Sequence, residues 1–177
     1  MVPMDFVAHV YEELLRVGHD YGLAHAGFHA MNACRVEKGY KHFGHDIGDE
    51  INPFQSGLGF AVDMSKPDFI GKSSLVGKQK DYQNRLVNIA VDDKDAPLLL
   101  HDEPIYCDNE LVGITTSGMW GHRVERSLGI AMLSNADGVS RGYIESHDFQ
   151  IEVAGKRYPL DVQLAPFYDP GSARMKR

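Results

Sequence analysis

The segment Arg35-Val36-Glu37-Lys38-Gly39-Tyr40 places three side chains with complementary binding chemistry close together. Arg35 offers a planar fork of N–H donors to a carboxylate, Glu37 offers an acceptor to amino groups, and Tyr40 offers a flat amphipathic ring. Such a set suits a ligand that joins an aromatic heterocycle to an acidic tail. The competing interpretation is a salt-bridged turn, because an arginine two residues before a glutamate often pairs with it or with other nearby charge. These residues alone leave both interpretations open.

Two histidines and an aspartate follow in the run His42-Phe43-Gly44-His45-Asp46. These residue types can bind metals, but a zinc site needs three or four ligands that converge. A glycine-rich stretch does not fix both rings toward one point, so we predict histidines that bond backbone groups, and no metal site. Cys34 and Cys107 lie far apart in no Cys-x-x-Cys pair, which predicts reduced thiols without a catalytic role.

Several common enzyme classes lack their signatures in this sequence. The dispersed histidines come with no Gly-x-Ser-x-Gly elbow of a triad hydrolase. The run Gly57-Leu58-Gly59-Phe60 lacks the third glycine of a dinucleotide fingerprint, and Gly71-Lys72-Ser73 lacks the earlier glycine of a phosphate loop. No catalytic residue is therefore predicted.

Charge and hydropathy limit the partners. The formal net charge is −7, and the lysines and arginines are scattered, so nucleic acid is not an expected partner. The longest apolar runs fall far short of the ~20 residues that cross a bilayer, and the start shows no secretory signal pattern. We therefore expect an intracellular, cytoplasmic protein without a membrane partner.

The first 80 residues must position the Arg35 segment. Apolar residues recur at helical spacing from Phe6 to Leu15, which predicts a first helix capped by Asp5. A second short helical pattern covers residues 24–34, so Arg35 is expected just after a helix. Closely spaced glycines then predict mostly loop, with a strand at 58–62 and a short helix over about 72–80.

A domain boundary is predicted near residues 78–84, because the pattern then changes to short alternating runs separated by turn residues. Asp108-Asn109-Glu110 predicts a hairpin turn, since Asp and Asn tolerate the required backbone conformations. The predicted strands cover 86–91, 105–107, 111–115, 127–133, 143–146, 149–153 and 156–162. Strands at this spacing favour a small barrel or sandwich over a βαβ fold.

The longer run from Arg35 to Ile47, followed by Pro53 to Phe60, resembles the R-x-E-x-G-y…yG-h-[DE]-i…P-x-e-a-G-L-x-[WF] pattern of the glycine-cleavage T-protein family. That family includes the aminomethyltransferase of glycine cleavage and the folate domains of dimethylglycine and sarcosine dehydrogenases. Asp68 to Lys72 matches the next family element, Gly113 to Trp120 resembles its G-x-x-T-S-G hairpin, and Ser127 to Ala131 resembles the following strand. The E-K-G-Y and G-H-D runs look most like the dehydrogenase-type members.

The resemblance implies an α+β fold in which a helical and loop remnant of the folate-binding region precedes a small C-terminal antiparallel β-barrel. Residues 1–80 would be the C-terminal part of that region, and residues 81–177 the barrel domain and its tail. Tetrahydrofolate would be the cofactor, accepting a one-carbon unit from a small amine-derived donor. The folate-binding residues would be Arg35, toward the carboxylate tail, with Glu37, Tyr40 and the pocket aromatic Phe60.

The sequence also departs from the family pattern. The family module has a long preceding stretch with a catalytic aspartate and an acidic residue that reads the pterin ring, and neither is present here. We therefore expect a fragment, a split-gene half or a C-terminal subunit that is inactive alone. Its partner would be a chain carrying the other half, or a second copy in a homodimer. The tail after Pro166 also lacks the aromatic pair of the glycine-cleavage enzyme, which leaves carrier specificity unassigned.

Two alternatives remain. The chain could be a non-catalytic scaffold or regulatory protein derived from the family. It could also be a protein-interaction module that exposes apolar area around Leu23, Phe28 and Leu58.

Overall fold

The structure is a computed structural model that describes residues 1–80, 82–93, 95–174 and 176. Its chain divides into two compact units, Met1–Met31 and Asn32–Arg177. Four α-helices are described: α1 (Val7–Gly18), α2 (Phe28–Glu37), α3 (Lys72–Leu75) and α4 (Arg141–Ser146). Within these residues, no helix has both the length and the apolar composition needed to span a bilayer.

Six antiparallel strands form a closed barrel, which confirms the predicted fold class. The strands are β1 (Asn84–Val91), β2 (Pro104–Cys107), β3 (Glu110–Gly121), β4 (Arg126–Ser134), β5 (Phe149–Val153) and β6 (Lys156–Gln163). Their order around the barrel is β1-β4-β3-β2-β5-β6, and β6 returns to pair with β1 from Asn88↔Gln163 to Val91↔Leu160. Closure leaves the sheet without a free edge.

Alternating side chains of the strands fill the barrel. β-Branched and leucine side chains dominate this core because they pack well on a pleated surface. The fully buried residues of this core include Ile89, Leu99, Ile105, Leu133 and Ile151. The strands therefore hold their outward residues on a rigid frame.

The unit Met1–Met31 has a different character. Helix α1 carries a strongly amphipathic pattern, but none of its residues is buried. The predicted cap at Asp5 is wrong, because a 3₁₀ turn over Met4–Phe6 leads into the helix and Phe6 takes the N-cap position without a side-chain hydrogen bond. Gly22 ends the following turn with a φ of 71°, which glycine adopts without strain.

Helix α2 lies later in the chain than its apolar pattern predicts. It ends at Glu37, because Gly39 has a φ of 68° and the Tyr40 amide donates to the Arg35 carbonyl at 2.8 Å. This left-handed glycine cap fixes the helix end. Arg35 and Glu37 are therefore on the last turn of α2, not after it.

Three other predicted elements differ in the structure. Residues 58–62 form a 3₁₀ turn at Gly59–Ala61 instead of a strand, and the helix expected over 72–80 is only α3, since Gly77 has a φ of 82°. Residues 143–146 are in helix α4, not in a strand. The hydroxyl of Ser140 accepts the Tyr143 amide at 3.1 Å and begins that helix.

Candidate functional site

Asp46 is the centre of a buried polar cluster that joins α2 to β3. Its side chain is 0% exposed, and Oδ2 accepts hydrogen bonds from Arg35 Nη1 at 2.9 Å and from the His42 amide at 2.7 Å. Oδ1 accepts from the hydroxyls of Thr116 at 2.6 Å and Ser117 at 2.8 Å. Four donors, one of them the Arg35 cation, compensate the lost hydration of this carboxylate. Asp46 is therefore an internal anchor.

Arg35 uses most of its hydrogen-bonding capacity within the protein. Besides Asp46, it donates from Nε to Asn32 Oδ1 at 2.9 Å, from Nη1 to the Tyr40 carbonyl at 3.3 Å and from Nη2 to Ser117 Oγ at 2.9 Å. A guanidinium has five N–H donors, so these bonds leave one for a ligand. Arg35 thus forms the salt bridge that one interpretation required, but with Asp46 and not with Glu37.

The hairpin motif T-S-G supplies the two hydroxyls because β3 is irregular there. The register with β4 shifts between Thr115 and Ser117, so Thr116 is the extra residue of a β-bulge. A bulge allows Thr116 and Ser117 to reach the same carboxylate, whereas neighbours in a regular strand point to opposite faces. At Gly118, a Cβ would lie 2.2 Å from the carbonyl carbon of Leu99, so glycine permits the close backbone crossing.

Glu37 is buried and binds the turn between β3 and β4. Its Oε1 accepts from the amides of Arg123 at 2.6 Å and Val124 at 3.3 Å. Its carbonyl oxygen accepts from the Tyr168 amide at 3.3 Å. Glu37 therefore connects the end of α2 to both the barrel turn and the C-terminal segment.

Lys38 fixes the C-terminal segment through Asp169. Its Nζ contacts the Asp169 carbonyl oxygen, lies 3.5 Å from Asp169 Oδ2 and donates to Ser172 Oγ at 3.0 Å. Burial raises the pKa of Asp169, but the amides of Ala173 and Arg174, together with Lys38, lower it, and the net pKa is below its ordinary value. The carboxylate form is therefore favoured by this arrangement.

Tyr40 and Phe60, the aromatic members of the predicted folate site, both present their rings to solvent. Tyr40 is 51% exposed and Phe60 is 88% exposed. Among the four predicted residues, the described contacts join Arg35 and Tyr40: the Tyr40 amide donates to the Arg35 carbonyl, and Arg35 Nη1 donates to the Tyr40 carbonyl. The two charged residues are held against the barrel, whereas the two rings are free to meet a ligand.

An open depression of about 690 Å³ lies beside Asp46. The loop Phe43–Ile51 forms one side, and Thr116 and Met132 belong to the barrel side. This volume falls within the range of small-molecule sites. None of the four predicted folate contacts is among the described residues that line it.

The histidines of the G-H-D region lie close to this depression. The rings of His42 and His45 are 4.8 Å apart between centroids, and His42 Nδ1 is buried with no hydrogen-bond partner within the described residues. Burial lowers the pKa of the Lys41 ammonium, and the Asp46 carboxylate partly opposes that effect. Because Asp46 already accepts four hydrogen bonds, its oxygens are committed to the protein.

Sequence reasoning finds Arg35 but not the residues that hold it. Ser117 lies 82 positions from Arg35, so spacing along the chain cannot reveal the contact. The available signal is that the G-H-D and T-S-G runs belong to one family pattern. A second cluster, Cys107 with Asp108 and His147, has no such signal, because its members are separated by a helix and belong to no motif.

Comparison with known families matches both parts of the chain. The model described as "Glycine cleavage T-protein C-terminal barrel domain" matches residues 84–169. The model described as "GCVT N-terminal domain" matches residues 1–66.

Two curated relatives cover nearly the whole chain. The 4-methylaminobutanoate oxidase (formaldehyde-forming) of Paenarthrobacter nicotinovorans is 40% identical over 175 residues, which are 97% of this chain and 20% of the oxidase. The mitochondrial pyruvate dehydrogenase phosphatase regulatory subunit of Mus musculus is 30% identical over 93% of this chain and 20% of that protein. The chain thus spans about a fifth of the length of these relatives.

A solved structure shares the fold. The crystal structure of the glycine cleavage system aminomethyltransferase T from Bartonella henselae matches with a TM-score of 0.77 and 20% sequence identity. The match covers 96% of this chain and 45% of that one.

Proposed function

This chain belongs to the glycine-cleavage T-protein family, and on that premise we propose that it supplies the C-terminal portion of a tetrahydrofolate-dependent one-carbon transferase that is inactive alone. Residues 1–80 would be the C-terminal part of the folate-binding region, and residues 81–177 the barrel domain and tail. The observation that carries the proposal is the Asp46 cluster. It joins the family's R-x-E and G-H-D runs to its T-S-G hairpin through Arg35 and Ser117.

The proposed folate contacts divide into positioning and stacking roles. Arg35 keeps one N–H donor for the carboxylate tail of folate, since Asp46, Asn32 and the Tyr40 carbonyl hold the guanidinium in place. Tyr40 and Phe60 offer exposed rings for stacking on a flat heterocycle. Glu37 acts by holding the β3–β4 turn and the segment at Tyr168 in place.

The proposed donor is a small methylated or aminomethyl-bearing amine. The name of the relative from Paenarthrobacter nicotinovorans contains a methylamino substrate and formaldehyde as product, and the similar solved structure is that of an aminomethyltransferase. Tetrahydrofolate accepts one-carbon units at that oxidation level. The chemistry would thus capture the carbon that leaves such an amine.

Two observations support the proposal that the isolated chain is inactive: it spans about a fifth of the length of the two relatives described above, and it exposes apolar side chains. Phe6, Leu14, Tyr21 and Leu23 in the first unit are all exposed, and Phe28 begins α2 exposed. Large aromatic side chains such as these are enriched at protein interfaces. We therefore propose a macromolecular partner, either a chain with the rest of the module or a second copy, and no nucleic-acid or membrane partner.

Titration calorimetry with tetrahydrofolate tests the site. We expect Phe60→Ala and Tyr40→Ala to weaken any binding by about tenfold, since base-like rings stacked on aromatic side chains lose about 1–3 kcal/mol on alanine substitution. Tyr21→Ala is the matched control, because Tyr21 is 85% exposed and lies outside the predicted site. Equal binding by all three variants and the wild type would refute these site assignments.

A transfer assay tests inactivity. The chain alone should form no methylene-tetrahydrofolate from an aminomethyl donor, whose carbon is already at the oxidation level of formaldehyde, and addition of the preceding part of a longer family member should restore formation. Turnover by the purified chain alone would contradict the proposal.

A second candidate function is a non-catalytic regulatory scaffold, because one relative is named a regulatory subunit. The same assay separates the two. A complex that forms with the added segment but neither binds tetrahydrofolate nor transfers carbon would favour the scaffold.

A further inference from the structure

One end of the barrel carries a cluster of metal-ligating side chains away from the Arg35 segment. Cys107 is the last residue of β2, Asp108 begins the β2–β3 turn, and His147 follows α4. Each contributes a ligand atom that lies within 4.8 Å of the other two. We propose that this cluster binds a divalent transition metal of the Zn²⁺ class, independently of any folate chemistry.

The hairpin holds the first two ligands rigidly. Cys107 pairs with Phe149 of β5 and is 5% exposed. Asp108 and Asn109 have φ values of 50° and 66°, the left-handed pair of a two-residue hairpin turn, so the turn geometry fixes Asp108. Cys107 Sγ lies 3.9 Å from Asp108 Oδ2. A tetrahedral zinc ion separates sulfur and oxygen ligands by about 3.5 Å, so a small side-chain rotation suffices.

The third ligand has a defined tautomer. His147 Nδ1 lies 2.8 Å from the Tyr143 carbonyl oxygen and 2.9 Å from Ser146 Oγ. A carbonyl oxygen can only accept, so the proton is on Nδ1 and the Nε2 lone pair is available. Metal-binding histidines in proteins show this same arrangement, in which the distal N–H donates to a backbone carbonyl. The hydrogen bonds at Nδ1 thus leave Nε2 as the nitrogen that can coordinate an ion.

The surroundings favour a cation. The open depression at this end of the barrel has a volume of about 640 Å³, and its described lining residues include Asp108, Glu110 and Asp137 but no lysine or arginine. A thiolate and an imidazole select zinc-like ions over Mg²⁺ and Ca²⁺, which prefer oxygen ligands. Three protein ligands leave the fourth position of a tetrahedral ion open to water from the depression.

Zinc titration of the whole chain with a chromophoric competitor tests the proposal. We expect one Zn²⁺ per chain in the wild type. His147→Ala and Asp108→Asn should weaken binding by at least about tenfold, the loss that removal of even an outer-shell partner causes. The matched controls are His101→Ala and Cys34→Ser, because His101 has a neighbouring aspartate and Cys34 is the other free cysteine. Both controls should bind as the wild type does.

Cobalt gives a direct signature of the thiolate. The Co²⁺-loaded wild type should show a sulfur-to-metal charge-transfer band that Cys107→Ser abolishes and Cys34→Ser retains. Because Cys107 is buried, circular dichroism must first show that Cys107→Ser folds; if it does not, the exposed His147 and Asp108 variants decide the question. No zinc binding by the wild type, or undiminished binding by His147→Ala and Asp108→Asn, would overturn the proposal.

Discussion

The unit Met1–Met31 and the barrel contain similar apolar residue types but use them in opposite ways. In the first unit, Leu14 of α1 is 62% exposed, and no residue of that helix is buried. In the barrel, Leu133 of β4 is 0% exposed and packs in the main core. A single amphipathic helix cannot cover its own apolar stripe, whereas a sheet that closes on itself encloses one face completely. The barrel therefore has its own core, whereas the apolar stripe of α1 stays exposed.

The largest expected effect comes from the buried charge of the second unit. Asp46→Ala should lower the free energy of unfolding by about 3–5 kcal/mol, because it leaves the Arg35 guanidinium partly buried without its counter-ion. Urea denaturation followed by the fluorescence of Trp120, the single tryptophan, measures this. The exposed Asp49→Ala is the matched control and should change little. Equal effects of the two substitutions would contradict the anchor role of Asp46.

A leucine pair tests the comparison directly. Leu133→Ala should cost about 2–5 kcal/mol, because it removes a fully buried side chain and leaves a cavity. The same substitution at Leu14 should stay within about 0.5 kcal/mol in the same denaturation experiment. If Leu14→Ala were as costly as Leu133→Ala, the exposed helix would have to be buried in the protein in solution.

A charged residue in the exposed apolar stripe of α1 tests whether this stripe is an interface. Leu14→Glu should leave the barrel transition unchanged but reduce self-association or partner binding, since a charge at the centre of an apolar interface is costly to desolvate. Sedimentation at increasing protein concentration measures the effect. Glu12→Gln on the same helix is the control, and should associate as the wild type does. A wild type that stays monomeric and binds no partner would contradict the interpretation of α1 as an interface.

The smallest effect concerns the C-terminal segment, which the Lys38 contact holds. The pKa of Asp169 is lowered in the folded protein, so its contribution to stability is present above its unfolded pKa of about 3.9 and is lost as pH falls through the folded value. A carboxyl ¹³C titration by NMR should therefore give a midpoint below the ordinary range. Lys38→Met should move that midpoint upward. A midpoint at or above the ordinary value would contradict the ion pair.

The barrel was more predictable than the site because most of its strands carry their own periodic signal. Five strand regions alternate over enough residues to be read directly, and Asp108-Asn109 marks a turn by its own chemistry. The wrong predictions occur where a single capping residue or glycine determines where an element begins or ends. The Ser140 cap converts 143–146 to helix, and Gly39 sets the end of α2.

The candidate site depended on contacts that no local pattern encodes. Arg35 was identified by its residue type, but its partners Asp46 and Ser117 come from a loop and from a bulged strand. The bulge itself leaves no clear trace in the sequence, since Thr116 looks like any other strand residue. Only the order of family motifs linked these segments before the structure did.

The ladder between β1 and β6 has a consequence for how the chain folds. It pairs the first strand of the barrel with the last, whereas β3 and β4 are joined by a short turn. Chain-closure entropy disfavours such distant pairing, so we expect the β3–β4 hairpin to form early and the β1–β6 seam to form late. Until that seam forms, both strands expose open edges, and a newly synthesised chain is then most vulnerable to pairing with its neighbours.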